Sequence, residues 1–248
     1  LVLGDSRGVN GFYAPEIERR TGERVFNLSY NGMSARIAEA VLSDYLARNA
    51  APRLLVLEVT NAGTADALLD GLMSYWNGCP ALGRLAEAVS PKHRAAARLS
   101  HLYAVNGEVP LRALYYLRRS DQDWINRYRI EPALLASVPN EPAFTLAVRP
   151  ENLDALRRMV ALARGRGIAV RLIVTPYLPG HIAHATNRGE WLARIGGVTG
   201  ERVWDYSVAI ADPGCFADRL HLNDLGAEPF VARLVSDGFF AVDSAAAR

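Results

Sequence analysis

Short apolar runs that alternate with amphipathic stretches constrain this chain more than any other feature. Residues 1–3 are apolar and end at Gly4. Residues 23–28 are bounded by Gly22 and by Asn31-Gly32, and residues 53–59 carry Leu54-Leu55-Val56-Leu57 at their centre. Between these runs, apolar side chains recur at three- and four-residue spacing. One such stretch lies around residues 12–20. A second covers residues 35–48, where Ile37, Ala40, Val41, Leu42 and Tyr45 fall on one face and Ser34 can cap the start. The same rhythm returns near the end: an amphipathic helix over 152–164 closed by Gly165 and Gly167, a run over 168–175 stopped by Pro176, a short helix over 190–195, a run over 202–206, and a last helix to about residue 237 capped by Asn223. Strands and helices alternating at this pitch call for βαβ units and a parallel sheet. The expected fold is α/β: a three-layer α/β/α sandwich on a mostly parallel five-stranded sheet.

The rhythm breaks between residues 62 and 150. No convincing buried strand occurs there, and helical stretches over 65–76, 82–89, 94–103 and 111–118 predict a helical insertion within a single domain spanning 1–248. Residues 115–129 are dense in aromatics and Arg. They read either as a stacking platform for a sugar or nucleotide, or as an amphipathic insert packed on the sheet edge.

Composition narrows the class. A chain of 248 residues, half hydrophobic and 22% charged, buries a core without staples, which excludes wholesale disorder. No apolar stretch approaches the ~18 residues of a membrane span. A net charge of +2 gives no ground for a nucleic-acid partner; 27 of the 28 basic residues are Arg, but they are scattered rather than striped. Cys79 and Cys215 belong to no CxxC or Cys/His cluster, so zinc is not expected, and they read as one bridge or as two separate thiols. A buried strand beginning at residue 1 leads to the expectation of an upstream segment: a leader, an anchor or another domain.

Ligands of open parallel sheets bind at the carboxyl ends of the strands. There the sequence places Gly4-Asp5-Ser6-Arg7-Gly8, then Asn27 to Gly32, then Thr60-Asn61, and finally Asp218-Arg219-Leu220-His221-Leu222-Asn223. A serine hydroxyl is a weak nucleophile that needs a base; His221 suits, and Asp218 stands three residues earlier to orient it. The oxyanion of an acyl transfer needs preorganised donors, which the Ser6 and Gly32 amides and the Asn61 side chain can supply. Asp224 is the fallback acid. Arg7 is a candidate for binding an anionic substrate group. Gly4-x-Ser6-x-Gly8 also fits a nucleophile elbow, but an elbow on the first strand, with acid and base only three apart, does not suit an α/β-hydrolase.

These four blocks, in this order and each at a strand end, resemble the SGNH (GDSL-like) hydrolases and acyltransferases. The resemblance covers roughly residues 1–61 and 151–240. It implies Ser6 as nucleophile, Gly32 and Asn61 as oxyanion donors, and Asp218 and His221 as acid and base. Arg7 stands where the family name has Leu, and the third block reads Thr-Asn-Ala rather than Gly-x-Asn-Asp. Both departures look more like extracytoplasmic proteins that move acetyl groups on polysaccharides than like secreted lipases. The expected function is therefore a serine esterase or O-acyltransferase, acting on small acyl groups of a carbohydrate or other small ester, without metal or organic cofactor. The expected location is periplasmic or membrane-anchored. A flavodoxin-like binding module and a non-catalytic glycan-binding protein are the alternatives.

Overall fold

The computed structural model describes residues 1–105 and 125–242. Four strands, β1 (Val2–Leu3), β2 (Leu54–Glu58), β3 (Ala169–Val174) and β4 (Val203–Asp205), form one parallel sheet in that spatial order. Val2 stands opposite Val56, Leu57 opposite Leu172, and Ile173 opposite Trp204. Near-continuous aliphatic runs such as Leu54 to Leu57 suit strands covered on both faces.

The expected fifth strand is corrected. Residues 23–28 meet β1 through a single bridge, Val2 to Asn27. The segment still lies along that edge: the Val2 amide donates to Phe26 O at 3.0 Å, and the Leu28 and Tyr30 amides donate to Val2 O and Gly4 O at 2.9 and 3.1 Å. No longer ladder forms because β1 offers only two residues before the turn at Gly4. Asn27 also turns its side chain away to donate to the Gly8 and Phe12 carbonyls at 3.0 and 3.1 Å. β1 is thus flanked by β2 on one side and by residues 26–28 on the other. The winding direction reverses there, and chain ends diverging at such a point leave a crevice at the carboxyl ends of the strands.

The described α-helices are α1 (Ser6–Gly11), α2 (Ala14–Thr21), α3 (Ala35–Arg48), α4 (Pro80–Val89), α5 (Pro91–Leu99), α6 (His101–Val105), α7 (Pro132–Ser137), α8 (Pro150–Arg164), α9 (Pro179–Ile182), α10 (Arg188–Thr199) and α11 (Asp224–Ser236). Ser34 and Asn223 cap α3 and α11 as expected, accepting from the Ile37 and Gly226 amides, each at 3.2 Å. Alternate strand residues face opposite ways. Leu3, Leu55, Leu57, Leu172 and Val174 enter one apolar cluster with Ile37, Leu42, Leu156, Met159 and Trp191. Val2, Val56 and Ile173 enter another with Phe12, Ile17, Phe230, Val231 and Leu234. Both faces of the sheet are therefore packed by helices, and each aliphatic side chain so buried contributes about 1.5–3 kcal/mol.

Between β2 and β3 the described residues form helices and 3-10 turns, with strand pairing limited to a bridge from Phe144 to Ala185. Residues 65–76 hold a 3-10 helix (Asp66–Tyr75) rather than an α-helix, and the helix expected over 94–103 breaks at Ser100 into α5 and α6. Leu69, Trp76, Leu82, Ala86 and Ala97 join the cluster that holds α3, so this part is continuous with the core. Ser34 Oγ and Arg36 both bond the Asp66 carboxylate, tying it to the start of α3. The aromatic and Arg tract over 115–129 lies outside the described residues up to 124; beyond them Tyr128 is exposed and Arg129 pairs with Asp224 at 2.6 Å. Both cysteines are free, and Cys79 caps α4 by accepting from the Leu82 amide. No helix among the described residues is long and apolar enough to cross a membrane.

Candidate active site

Ser6 is set by the way β1 ends. Gly4 must lack a Cβ, because one there would lie 2.6 Å from Glu58 Cβ on the neighbouring strand. Asp5 caps the following turn, its Oδ1 accepting from the Arg7 amide at 2.9 Å, and α1 begins with Ser6. This helix was not foreseen, since six residues are too few for apolar periodicity to register.

Asp218 and His221, the expected acid and base, arrive on a tight loop. Asp218 Oδ1 accepts from the Leu220 and His221 amides at 2.7 and 3.0 Å, which folds the four residues onto themselves. An antiparallel bridge from Phe216 to Leu222 closes the loop, and Asn223 Nδ2 pins its base through the Gly214 and Phe216 carbonyls. His221 Nδ1 stands 2.8 Å from Asp218 Oδ2, and its Nε2 stands 2.7 Å from Ser6 Oγ. A carboxylate only accepts, so Nδ1 carries the ring proton and Nε2 offers its lone pair to the serine hydroxyl. Partial burial works to raise the Asp218 carboxyl. Hydrogen bonds from the His221 ring and the Leu220 amide outweigh that and hold it below the ordinary range.

The expected oxyanion donors lie on the two flanking loops. Gly32 has φ +71, a left-handed conformation that favours glycine, and a Cβ there would run into Leu68 Cδ1. Neither the Ser6 nor the Gly32 amide donates to another described residue. Asn61 is 1% exposed on the 3-10 turn Val59–Gly63, and its Oδ1 has no partner among the described residues. Asn152 on α8 holds that turn, donating from Nδ2 to the carbonyls of Asn61, Ala62 and Thr64 at 3.2, 3.1 and 2.8 Å. Asp224 faces Arg129 rather than His221.

Arg7, the expected anion contact, turns inward to backbone carbonyls. Its side chain is buried, Nη1 donates to Leu220 O at 2.7 Å, Nη2 donates to Thr175 O and Pro176 O, and the guanidinium lies 3.4 Å over the Tyr177 ring. These carbonyls and that ring face converge on the guanidinium and hold it there. Beside it lies Glu58, wholly buried at the end of β2, with Oε1 3.6 Å from Arg7 Nε and Oε2 accepting from Thr60 Oγ at 2.6 Å. Burial, then the neighbouring Asp5 charge, pushes the Glu58 carboxyl up to about 7 against the pull of Arg7. Glu58, Asn152 and Leu68 are site residues that the sequence reading missed. A carboxylate at the end of an otherwise apolar strand was the one available signal, for Glu58. His181 serves the loop from outside, bonding Glu141 at 2.6 Å while Glu141 also accepts from Arg219.

No family model matches the chain, and no curated protein matches it.

Proposed function

We propose that this chain is a serine-dependent acyl-ester enzyme of the SGNH type, the helices packed on its two sheet faces forming the outer layers of an α/β/α sandwich. The observation that carries this reading is the unbroken relay from Asp218 through His221 to Ser6, with contacts of 2.8 and 2.7 Å. Ser6 and His221 lie 215 positions apart, and a carboxylate, an imidazole and a hydroxyl that meet in this order form the arrangement that activates a hydroxyl.

In the proposed reaction Ser6 Oγ attacks the ester carbonyl while His221 Nε2 takes its proton. The oxyanion forms against the Ser6 and Gly32 amides and the Asn61 side-chain amide. The tetrahedral adduct collapses, the C–O bond to the alcohol breaks, and His221 returns the proton to that alcohol. The acyl group left on Ser6 then passes to water in an esterase or to a sugar hydroxyl in an O-acyltransferase, with His221 again as base. Leu68 lies against Gly32 and narrows the oxyanion side, which supports small acyl groups, acetyl above all. A carbohydrate acceptor and an extracytoplasmic setting rest on the family resemblance.

A fluorophosphonate probe tests the reading. The intact protein takes up one label and Ser6→Ala takes up none; an unlabelled wild type, or equal labelling of the variant, sinks it. Acetyl-ester turnover with and without an oligosaccharide separates the two outcomes: acetylated glycan means transfer, and free acetate alone means hydrolysis.

A further inference from the structure

We propose that Arg7 is a positioning residue that locks the acid–base loop to the nucleophile turn. The proposal rests on the serine-enzyme reading above. Arg7 directly follows Ser6, so its backbone moves with the nucleophile. Its side chain reaches a carbonyl of the other half of the relay, Leu220 O, which lies between Asp218 and His221. Leu220 is thereby held at both ends: its N–H donates to Asp218 Oδ1 at 2.7 Å, and its C=O accepts from Arg7 at 2.7 Å. A shift of the loop away from Ser6 breaks the second bond before it breaks the first.

The remaining contacts fix the guanidinium itself. Nη2 donates to two successive carbonyls after β3, Thr175 O and Pro176 O, and the Tyr177 ring covers one face of the plane at 3.4 Å. Arg7 Nε, buried and without a hydrogen bond among the described residues, points toward Glu58, the nearest acidic group. A charge taken out of water this far is costly, and a hydrophobic side chain fills such a space at least as stably. What an arginine adds is direction: a planar fork with donors at fixed angles joins β1, β3 and the acid–base loop at one point. Lysine supplies the charge but not the fork, and cannot hold Leu220 O and Thr175 O together.

The test compares Arg7→Lys with wild type in p-nitrophenyl acetate turnover, fluorophosphonate labelling rate and thermal unfolding. We expect a folded variant whose kcat and labelling rate fall about 10- to 100-fold while KM stays unchanged, the size of loss that about 1 Å of misplacement produces. A folded variant with wild-type rates overturns the proposal. So does one whose KM alone rises, because Arg7 would then be a substrate contact. If Arg7→Lys does not fold, Tyr177→Leu decides; it removes the ring face and leaves the carbonyl contacts. A loss in kcat of about 3- to 10-fold at constant KM supports the lock, and wild-type kinetics overturn it. Ile195→Val, a core truncation on α10, which carries none of the site residues, controls for lost stability and keeps the wild-type labelling rate. A wild-type protein inert to the probe overturns the serine-enzyme reading and this proposal with it, whereas a reactive wild type with an equally reactive Arg7→Lys overturns this proposal alone.

Discussion

Asn61 keeps its side-chain oxygen out of water without giving it a partner among the described residues, an arrangement that costs stability, typically about 1–3 kcal/mol. Asn152 spends its whole amide donor capacity on holding the turn that carries Asn61. Such an investment is intelligible if the Asn61 amide is held ready for a charge that exists only during reaction. Asn61→Ala is therefore expected to lower kcat about 10²- to 10³-fold, the usual effect of losing one oxyanion donor. The same variant should unfold at the wild-type temperature or above. A loss of activity accompanied by a marked fall in the unfolding temperature would instead assign Asn61 to the turn. At this scale the relay was legible where its logic is local or chemical. Asp218 and His221 sit three residues apart, and a nucleophilic serine demands a base. The role of Arg7 was not legible, because it depends on a carbonyl 213 positions away that no spacing rule reaches.

At the scale of elements, aliphatic runs and caps located the strands and helices that position the site. They failed where an element depends on its partner's length. Residues 23–28 have the composition of a strand, but β1 supplies too few residues to pair with them. The segment from Asp66 to Tyr75 shows the reverse case. Its apolar spacing suggested an ordinary helix, yet it forms a 3-10 helix that anchors Asp66 to Ser34 and lays Leu68 on Gly32. Leu68 is half-exposed, so its truncation removes little core packing. If this element limits the acyl group, Leu68→Ala raises the ratio of butyrate-ester to acetate-ester kcat/KM about 4- to 15-fold. That range corresponds to one or two methylenes gaining apolar contact at about 0.8 kcal/mol each. An unchanged ratio would remove the insertion from acyl selection.

Across the whole molecule, the same strand ends that assemble the relay also bury charge. Glu58 is fully enclosed beneath the nucleophile turn, and burial together with Asp5 raises its carboxyl from an ordinary 4.5 to about 7 in the folded protein. Between those two values the folded state holds a proton that the unfolded chain has released. Stability must therefore fall as pH rises through that window. The full separation corresponds to about 3 kcal/mol with the pull of Arg7 already contained in it, and the observable effect is of that order, roughly 1–3 kcal/mol. Glu58→Gln imitates the protonated side chain at every pH and so removes this contribution without emptying the space. Denaturant unfolding of both proteins at pH 5 and pH 8 isolates it. Wild type should lose roughly 1–3 kcal/mol more than the variant between the two conditions, about 2–12 °C in unfolding temperature for a chain of this size. Equal losses would mean that Glu58 is ionised throughout, held by Arg7 more strongly than burial opposes it, and the charge under the nucleophile would then be a permanent ion pair rather than a titrating one.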